Sequence, residues 1–283
     1  MKITFTIMML ISCWTEVHAQ MGTTATSNKI VKEGKLLYRS EMASWYGTDI
    51  FLDKFRSKRS MLGGYFSYMH DNMETCLFFS KGENPKVLET TIFDSTYDVK
   101  TAKIDSLERD FNPFERDLFD IRKKTLAEIN TDTLFKTYKK TNFNLVPIIE
   151  NGEKKVYVLT GPEEDGVVIF GNDYLLTFDK NGNILTKRKL HNNILFSNYN
   201  DIKKQDSSFG GIHSHISPTS DFITSTDICA LMLYEKAAGW KQYYVVSQKY
   251  YSIWDCQSNS LTIMTKEAMD RIYDDQAKRH PKN

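Results

Sequence analysis

The stretch His213-Ser214-His215, followed by Thr224-Ser225-Thr226-Asp227 and an apolar run, constrains this chain more than any other feature. On a strand, residues two apart point to the same face, so both imidazoles face one way. Gly210-Gly211 leads into that short strand. A polar loop over 217–221 follows, and Asp227 opens a helix expected over 227–238. A strand carrying two imidazoles, feeding a helix whose first turn carries a carboxylate, can bring three ligands to one metal ion. Two histidines and a carboxylate, with water in the fourth position, is an established arrangement for catalytic zinc. The structural alternative is a pair of hydrogen-bonded surface histidines. Asp221, in the loop, is a rival carboxylate to Asp227, but a place at the helix start favours Asp227.

This stretch resembles the JAB/MPN metalloprotease family, whose JAMM motif reads H-x-H-P, a short loop, then S-x-x-D at a helix start. It also resembles the RadC-like and toxin-associated relatives of that family. His213 and His215 match the two histidines, Asp227 the aspartate, and Thr224 stands in the serine place. Downstream, Gln242 to Ser247 and Tyr250-Tyr251-Ser252-Ile253-Trp254 are similar to the RadC-like ending. The resemblance covers residues 154–264. The chain departs from the pattern in three ways. Ile216 replaces the proline after the second histidine, the loop to Asp227 is one residue longer, and Thr224 keeps the hydroxyl of serine but adds a methyl group.

The resemblance implies a zinc-dependent hydrolase of peptide or isopeptide bonds. Zinc would be held by His213, His215 and Asp227, with the Thr224 hydroxyl assisting the oxyanion. It also implies an upstream glutamate as general base, before a strand like Tyr157-Val158-Leu159-Thr160-Gly161. Glu153 is that candidate, with Glu150, Glu163 and Glu164 as rivals. The competing classes are a non-catalytic binding protein that keeps the fold without the metal, and a toxin-like effector domain. A metallo-β-lactamase pattern, a G-x-S-x-G nucleophile and a phosphate-binding glycine loop do not occur.

The 41% hydrophobic and 26% charged content describes a globular chain, and 283 residues allow two modest domains. The net charge of +1 implies no overall pull toward nucleic acid, and the resemblance implies a peptide or protein substrate as partner. Lys2, the apolar run 3–11 and Val17-His18-Ala19 read as a signal peptide over residues 1–19, which points to an exported protein. A rival reading takes Leu10-Ile11-Ser12-Cys13 as a lipobox with a lipidated Cys13. No later segment approaches transmembrane length. Cys76, Cys229 and Cys256 are too few for a disulfide scaffold, and Cys229 reads as a core thiol. A Cys229–Cys256 disulfide is the open alternative.

The expected fold class is α+β: a flexible leader over 20–34, a β-rich N-terminal domain over 35–111, a helical connector over 112–140, and a mixed α/β, JAB/MPN-like (deaminase-like) domain over 141–283. Strand-like runs fall at 36–38, 64–68, 75–79 and 86–93, with a short helix within 42–55. Asn112-Pro113-Phe114-Glu115 has the capping residue, proline and glutamate of a helix start. Asn151-Gly152 and Asp179-Lys180-Asn181-Gly182 mark hairpins. His191 ends a basic strand and is read as exposed, and 192–208 as a polar loop.

Overall fold

The computed structural model describes residues 4–199, 210–216 and 219–279, with side chains from Thr24 onward. The fold is mixed α+β, with several sheets and long helices. The chain divides into two compact units, Leu36–Lys204 and a second made of Met1–Lys35 with Gln205–Asn283. Among the described residues no helix is long and apolar enough to cross a membrane.

The first correction concerns the N-terminal region. Where the sequence suggested a flexible leader at 20–34 and a strand at 36–38, the chain forms one helix, α1 (Thr4–Lys54). The signal-peptide and Cys13 readings concern side chains outside the described residues. In the unit Leu36–Lys204, α1 lies on an antiparallel sheet of β1 (Leu62–His70), β2 (Met73–Ser80), β3 (Val87–Phe93) and β4 (Lys103–Asp105), in that order. Its buried positions are Leu37, Ser40, Ala43, Ser44, Gly47, Ile50 and Phe51, spaced as one helical face. Three of them are Ser or Gly, so the apolar period is broken and the helix is hard to read. The small residues have a reason: a Cβ on Gly47 would sit 2.7 Å from Cys76 Sγ, so the helix approaches the sheet closely there. Phe51 stacks on Phe78 with ring centroids 4.4 Å apart. Truncating such a buried ring costs ~3–5 kcal/mol.

α2 (Pro113–Thr131) starts as the sequence indicates. Asn112 accepts from the Glu115 backbone N–H, and the Glu115 carboxylate accepts from the Asn112 N–H. It is no free connector. Leu118 and Phe119 join the core with Phe66, Leu77 and Phe79 of the first sheet. Ile121 joins Val156, Tyr174 and Leu176 of a second sheet. That sheet has the order β5 (Thr141–Glu150), β6 (Glu153–Pro162), β8 (Tyr174–Phe178), β9 (Ile184–Lys189). The β5–β6 hairpin turns at Asn151 and Gly152, with φ of 52° and 79°, the left-handed backbone that the Asn-Gly pair provides. Part of the expected loop 192–208 is instead β10 (Ile194–Asn198), paired antiparallel with β7 (Val167–Gly171); residues 200–209 lie outside those described.

The other unit holds the motif. Its sheet has the order β11 (Gly211–Ser214), β12 (Gln242–Val246), β13 (Tyr250–Asp255), β14 (Ser260–Thr265), with α3 (Ser225–Ala238) between β11 and β12 and α4 (Lys266–Arg279) at the end. β11 and β12 run parallel, so α3 is a crossover within one sheet. Ile228 and Leu231 of α3 are fully buried, and Met232 and Leu233 half-buried. Trp254, also fully buried, donates its indole N–H to Glu235 of α3 at 3.3 Å. α3 stops at Gly239, whose φ of 73° suits a residue without Cβ. α1 meets α3 at Gly34, where a Cβ would lie 2.6 Å from Ile228 Cγ2.

Candidate metal centre

Three side chains of this unit meet at one point. The Nε2 atoms of His213 and His215 are 3.2 Å apart. His215 Nε2 lies 3.2 Å from Asp227 Oδ2, and His213 Nε2 lies 3.6 Å from Asp227 Oδ1. The local chain explains the meeting. His213 sits on β11 and His215 just past its end, two residues apart and on one face. The His215 N–H still bonds to the Val246 carbonyl of β12 at 2.9 Å, which keeps the strand direction through the second histidine. Asp227 comes from the first turn of the crossover helix, which in a parallel β-α-β unit starts beside the end of its leading strand.

Asp227 is held from its own helix. Thr224 is the N-cap, and its hydroxyl accepts from the Asp227 N–H at 3.1 Å. Asp227 Oδ2 accepts from the Thr224 N–H and from the Thr224 hydroxyl, each at 2.8 Å. This is a reciprocal capping box with aspartate as its acid. A hydroxyl has one proton to give, and Thr224 gives it to Asp227. The Thr226 hydroxyl, 3.0 Å away, is then the donor to Thr224 Oγ. Beside the oxyanion role that the resemblance implies for Thr224, its hydroxyl holds the carboxylate in place.

The imidazoles have outer partners as well. His215 Nδ1 is 2.9 Å from the Phe222 carbonyl, and a carbonyl only accepts, so Nδ1 carries the proton and Nε2 the lone pair. His213 Nδ1 is 3.3 Å from the Tyr243 hydroxyl. Burial, and then the Asp227 charge, push the Tyr243 phenol well above its ordinary pKa, so the hydroxyl keeps its proton at neutral pH. The cluster is enclosed: Asp227 is 1% and His215 6% exposed, and the His213 side chain 10%.

A carboxylate and two imidazole nitrogens at these distances present lone pairs to one another. A proton or a cation must lie among them. A tetrahedral zinc with ligands at ~2.0–2.2 Å has its ligand atoms about 3.3–3.6 Å apart. The Nε2–Nε2 and His215 Nε2–Asp227 Oδ2 separations, both 3.2 Å, are close to edges of that tetrahedron, and His213 Nε2 faces the other carboxylate oxygen, Oδ1, at 3.6 Å. The structure thus brings the ligating atoms of His213, His215 and Asp227 together, and the last two are buried.

The other carboxylates offered by the sequence have surroundings of their own. Glu153 opens β6 at the exposed end of the Asn151–Gly152 hairpin, opposite Glu150, a solvated position. Glu163 is exposed, and Glu164 pairs with Lys140 at 2.7 Å on the surface. Asp221 pairs with Lys249 at 3.2 Å, which leaves the ligand place to Asp227. His191, read as exposed, is buried, its Nδ1 3.6 Å from the Asp173 carboxylate, which accepts from the Thr160 N–H. The exposed basic run 187–189 before it hid the inward turn of the strand end. Cys76, Cys229 and Cys256 are buried and form no disulfide with one another.

Comparison with known proteins finds no matching family model, no matching curated protein and no matching solved structure.

Proposed function

We propose that this chain is a zinc-dependent hydrolase of peptide or isopeptide bonds, with a JAB/MPN-like unit built around β11, α3 and β12. The observation that carries the reading is the convergence of His213 Nε2, His215 Nε2 and the Asp227 carboxylate at separations of 3.2 to 3.6 Å, with all three side chains shielded from solvent. Zinc, when bound, lowers the pKa of its water toward ~7 and polarises a carbonyl oxygen.

The chain's own residues do the holding. Asp227 supplies the negative charge, fixed by two hydrogen bonds from Thr224. The Phe222 carbonyl holds the His215 ring in the tautomer that leaves Nε2 as ligand. Enclosure keeps the charge in a low-dielectric setting, where it interacts strongly with a cation. The signal-peptide pattern of residues 1–19 extends the proposal to export of the protein, with a peptide or protein as substrate.

A second reading, a binding module that uses the same centre without turnover, has one observation in its favour. Of the residues given catalytic roles by the resemblance, Thr224 donates its hydroxyl to Asp227, and Glu153 is exposed on a hairpin. One experiment separates the readings. Zinc-loaded protein is offered a library of peptide and isopeptide substrates. Cleavage that is lost in Asp227→Asn supports the hydrolase. Zinc retention without cleavage of any member supports the binding module.

A further inference from the structure

Glu41 of α1 reaches across to β5. The Asn144 Nδ2 lies 2.6 Å from one of its carboxylate oxygens and 2.8 Å from the other. Among the described residues no basic group pairs with Glu41. Arg39, two residues before it, turns instead to Glu74 of β2 at 2.8 Å and to the Asn72 carbonyl at 2.9 Å. The other groups that face the carboxyl are Tyr65 of β1 and Asp173, just before β8. Tyr65 stays a neutral phenol, because burial, and then the Glu41 charge, push it up to about 12. Asp173 is an acid like Glu41, its carboxylate accepting from the Thr160 N–H at 2.9 Å.

A half-buried carboxylate in that setting has one neutral donor, no cation and a second acid in its field. One amide group cannot offset the lost hydration of a full charge. A neutral carboxyl fits the same partners better. Its C=O accepts from the Asn144 Nδ2–H, and its O–H donates to Asn144 Oδ1 once the amide turns about its last bond, which makes a two-point acid–amide pair. The repulsion from Asp173 is then gone. Burial accordingly pushes the Glu41 pKa up to about 7, with the Asn144 bond opposing the shift and the Asp173 charge adding to it.

We propose that Glu41 is a proton-operated latch between α1 and β5, closed on Asn144 when its carboxyl is protonated and loosened when it is ionised. The proton is exchanged with water. The hold of Arg39 on Glu74 is ionic and does not weaken as the pH rises, and the Ser44–Ser67 hydroxyl bond of 2.8 Å does not titrate, so α1 stays tied to the first sheet while its tie to β5 loosens. All these groups belong to the unit Leu36–Lys204, and the latch does not depend on the metal-binding reading.

The test uses the full-length chain labelled with 13C and 15N. The Glu41 Cδ and Asn144 Nδ2 resonances, assigned through the backbone, are followed by NMR across the neutral range. Both should move together with a midpoint near neutrality, because the bond between them changes with the proton. Amide hydrogen exchange over 41–48, corrected for the intrinsic rate, is then compared at about pH 6 and about pH 8. Glu41→Gln is neutral at every pH and still pairs with Asn144. Protection should fall about tenfold more in the wild type than in this variant, the linkage for an acid of pKa about 7 that regains its ordinary value of ~4.3 on opening. The difference isolates Glu41 from Glu74 and Glu89, which both proteins keep. A Glu41 midpoint in the ordinary carboxylate range overturns the latch, whether or not the variant folds. So does an Asn144 amide that ignores the Glu41 titration. An equal fall in protection in the wild type and in Glu41→Gln overturns it as well.

Discussion

Thr224→Val separates a positioning role from an oxyanion role. Valine matches threonine in shape and removes only the hydroxyl. In the native protein that hydroxyl accepts from the Asp227 N–H at 3.1 Å and donates to Asp227 Oδ2 at 2.8 Å. Losing a helix N-cap costs ~1 kcal/mol. Losing a hydrogen bond to a charged group costs ~1.5–3 kcal/mol. Both belong to one side chain, and the Thr224 N–H still serves the carboxylate at 2.8 Å, so the two do not add in full. We expect the metal-free unit to lose about 2–3 kcal/mol. Urea unfolding in the presence of chelator, followed by fluorescence of the buried Trp240 and Trp254, measures it. A loosened Asp227 should also weaken zinc binding about 10–100-fold, read by competition with a chromophoric chelator. Thr224→Ser should restore both. If Thr224→Val changes stability by less than ~0.5 kcal/mol and binds zinc as the wild type does, the positioning argument is wrong. If it also loses only turnover, the oxyanion role stands instead.

Three further outcomes test the fold and its electrostatics. Glu89 of β3 is fully buried, bonded to the Thr91 hydroxyl, and burial pushes its pKa up to about 7. Its contribution to stability is full below its unfolded value of ~4.3 and is lost as the pH rises through about 7, so Glu89→Gln should flatten that fall and stabilise the protein at pH 8 by up to about 3 kcal/mol; an unchanged difference between pH 5 and pH 8 counts against a buried, neutralised carboxyl. Cys76, Cys229 and Cys256 are buried, and burial with the Glu235 charge pushes the Cys256 thiol well up, so peptide mapping after alkylation of the native protein should leave all three unmodified and modify all three in denaturant. Gly211→Ala puts a methyl group into the Tyr243 ring, whose hydroxyl meets His213, and should weaken zinc binding; wild-type affinity would show that the ring does not rest there.

What could be read from the chain, and what could not, divides by how local the cause is. The α2 start was legible because the cap, proline and glutamate are neighbours that bond to one another. The hairpins at Asn151–Gly152 and Asp179–Gly182 were legible because the left-handed backbone selects its residues. The pairing of His213 with His215, and the arrival of Asp227, follow from strand alternation and from a helix start. α1 was legible only in its last part, the short helix expected within 42–55; over 36–41 it was read otherwise, and its buried face uses Ser40, Ser44 and Gly47 where close packing on the sheet excludes larger side chains. Thr224 carried two meanings in one pattern: Thr-x-x-Asp is both a motif position and a capping box, and only the hydrogen bonds decide between them. Tyr243 stood in an apolar strand like its neighbours, and nothing in sequence order set it beside His213, 30 residues away. β10 was hidden because its pairing partner, β7, is distant in sequence.

The most direct measurement of the central claim is a calorimetric titration of the chelator-stripped, full-length protein with zinc, run beside His213→Ala, His215→Ala and Asp227→Asn. The expected result is about one zinc per chain in the wild type, with affinity lost or sharply reduced in each of the three variants while far-UV circular dichroism is unchanged. A wild type that takes up no zinc, or one whose zinc binding survives all three substitutions, contradicts the account.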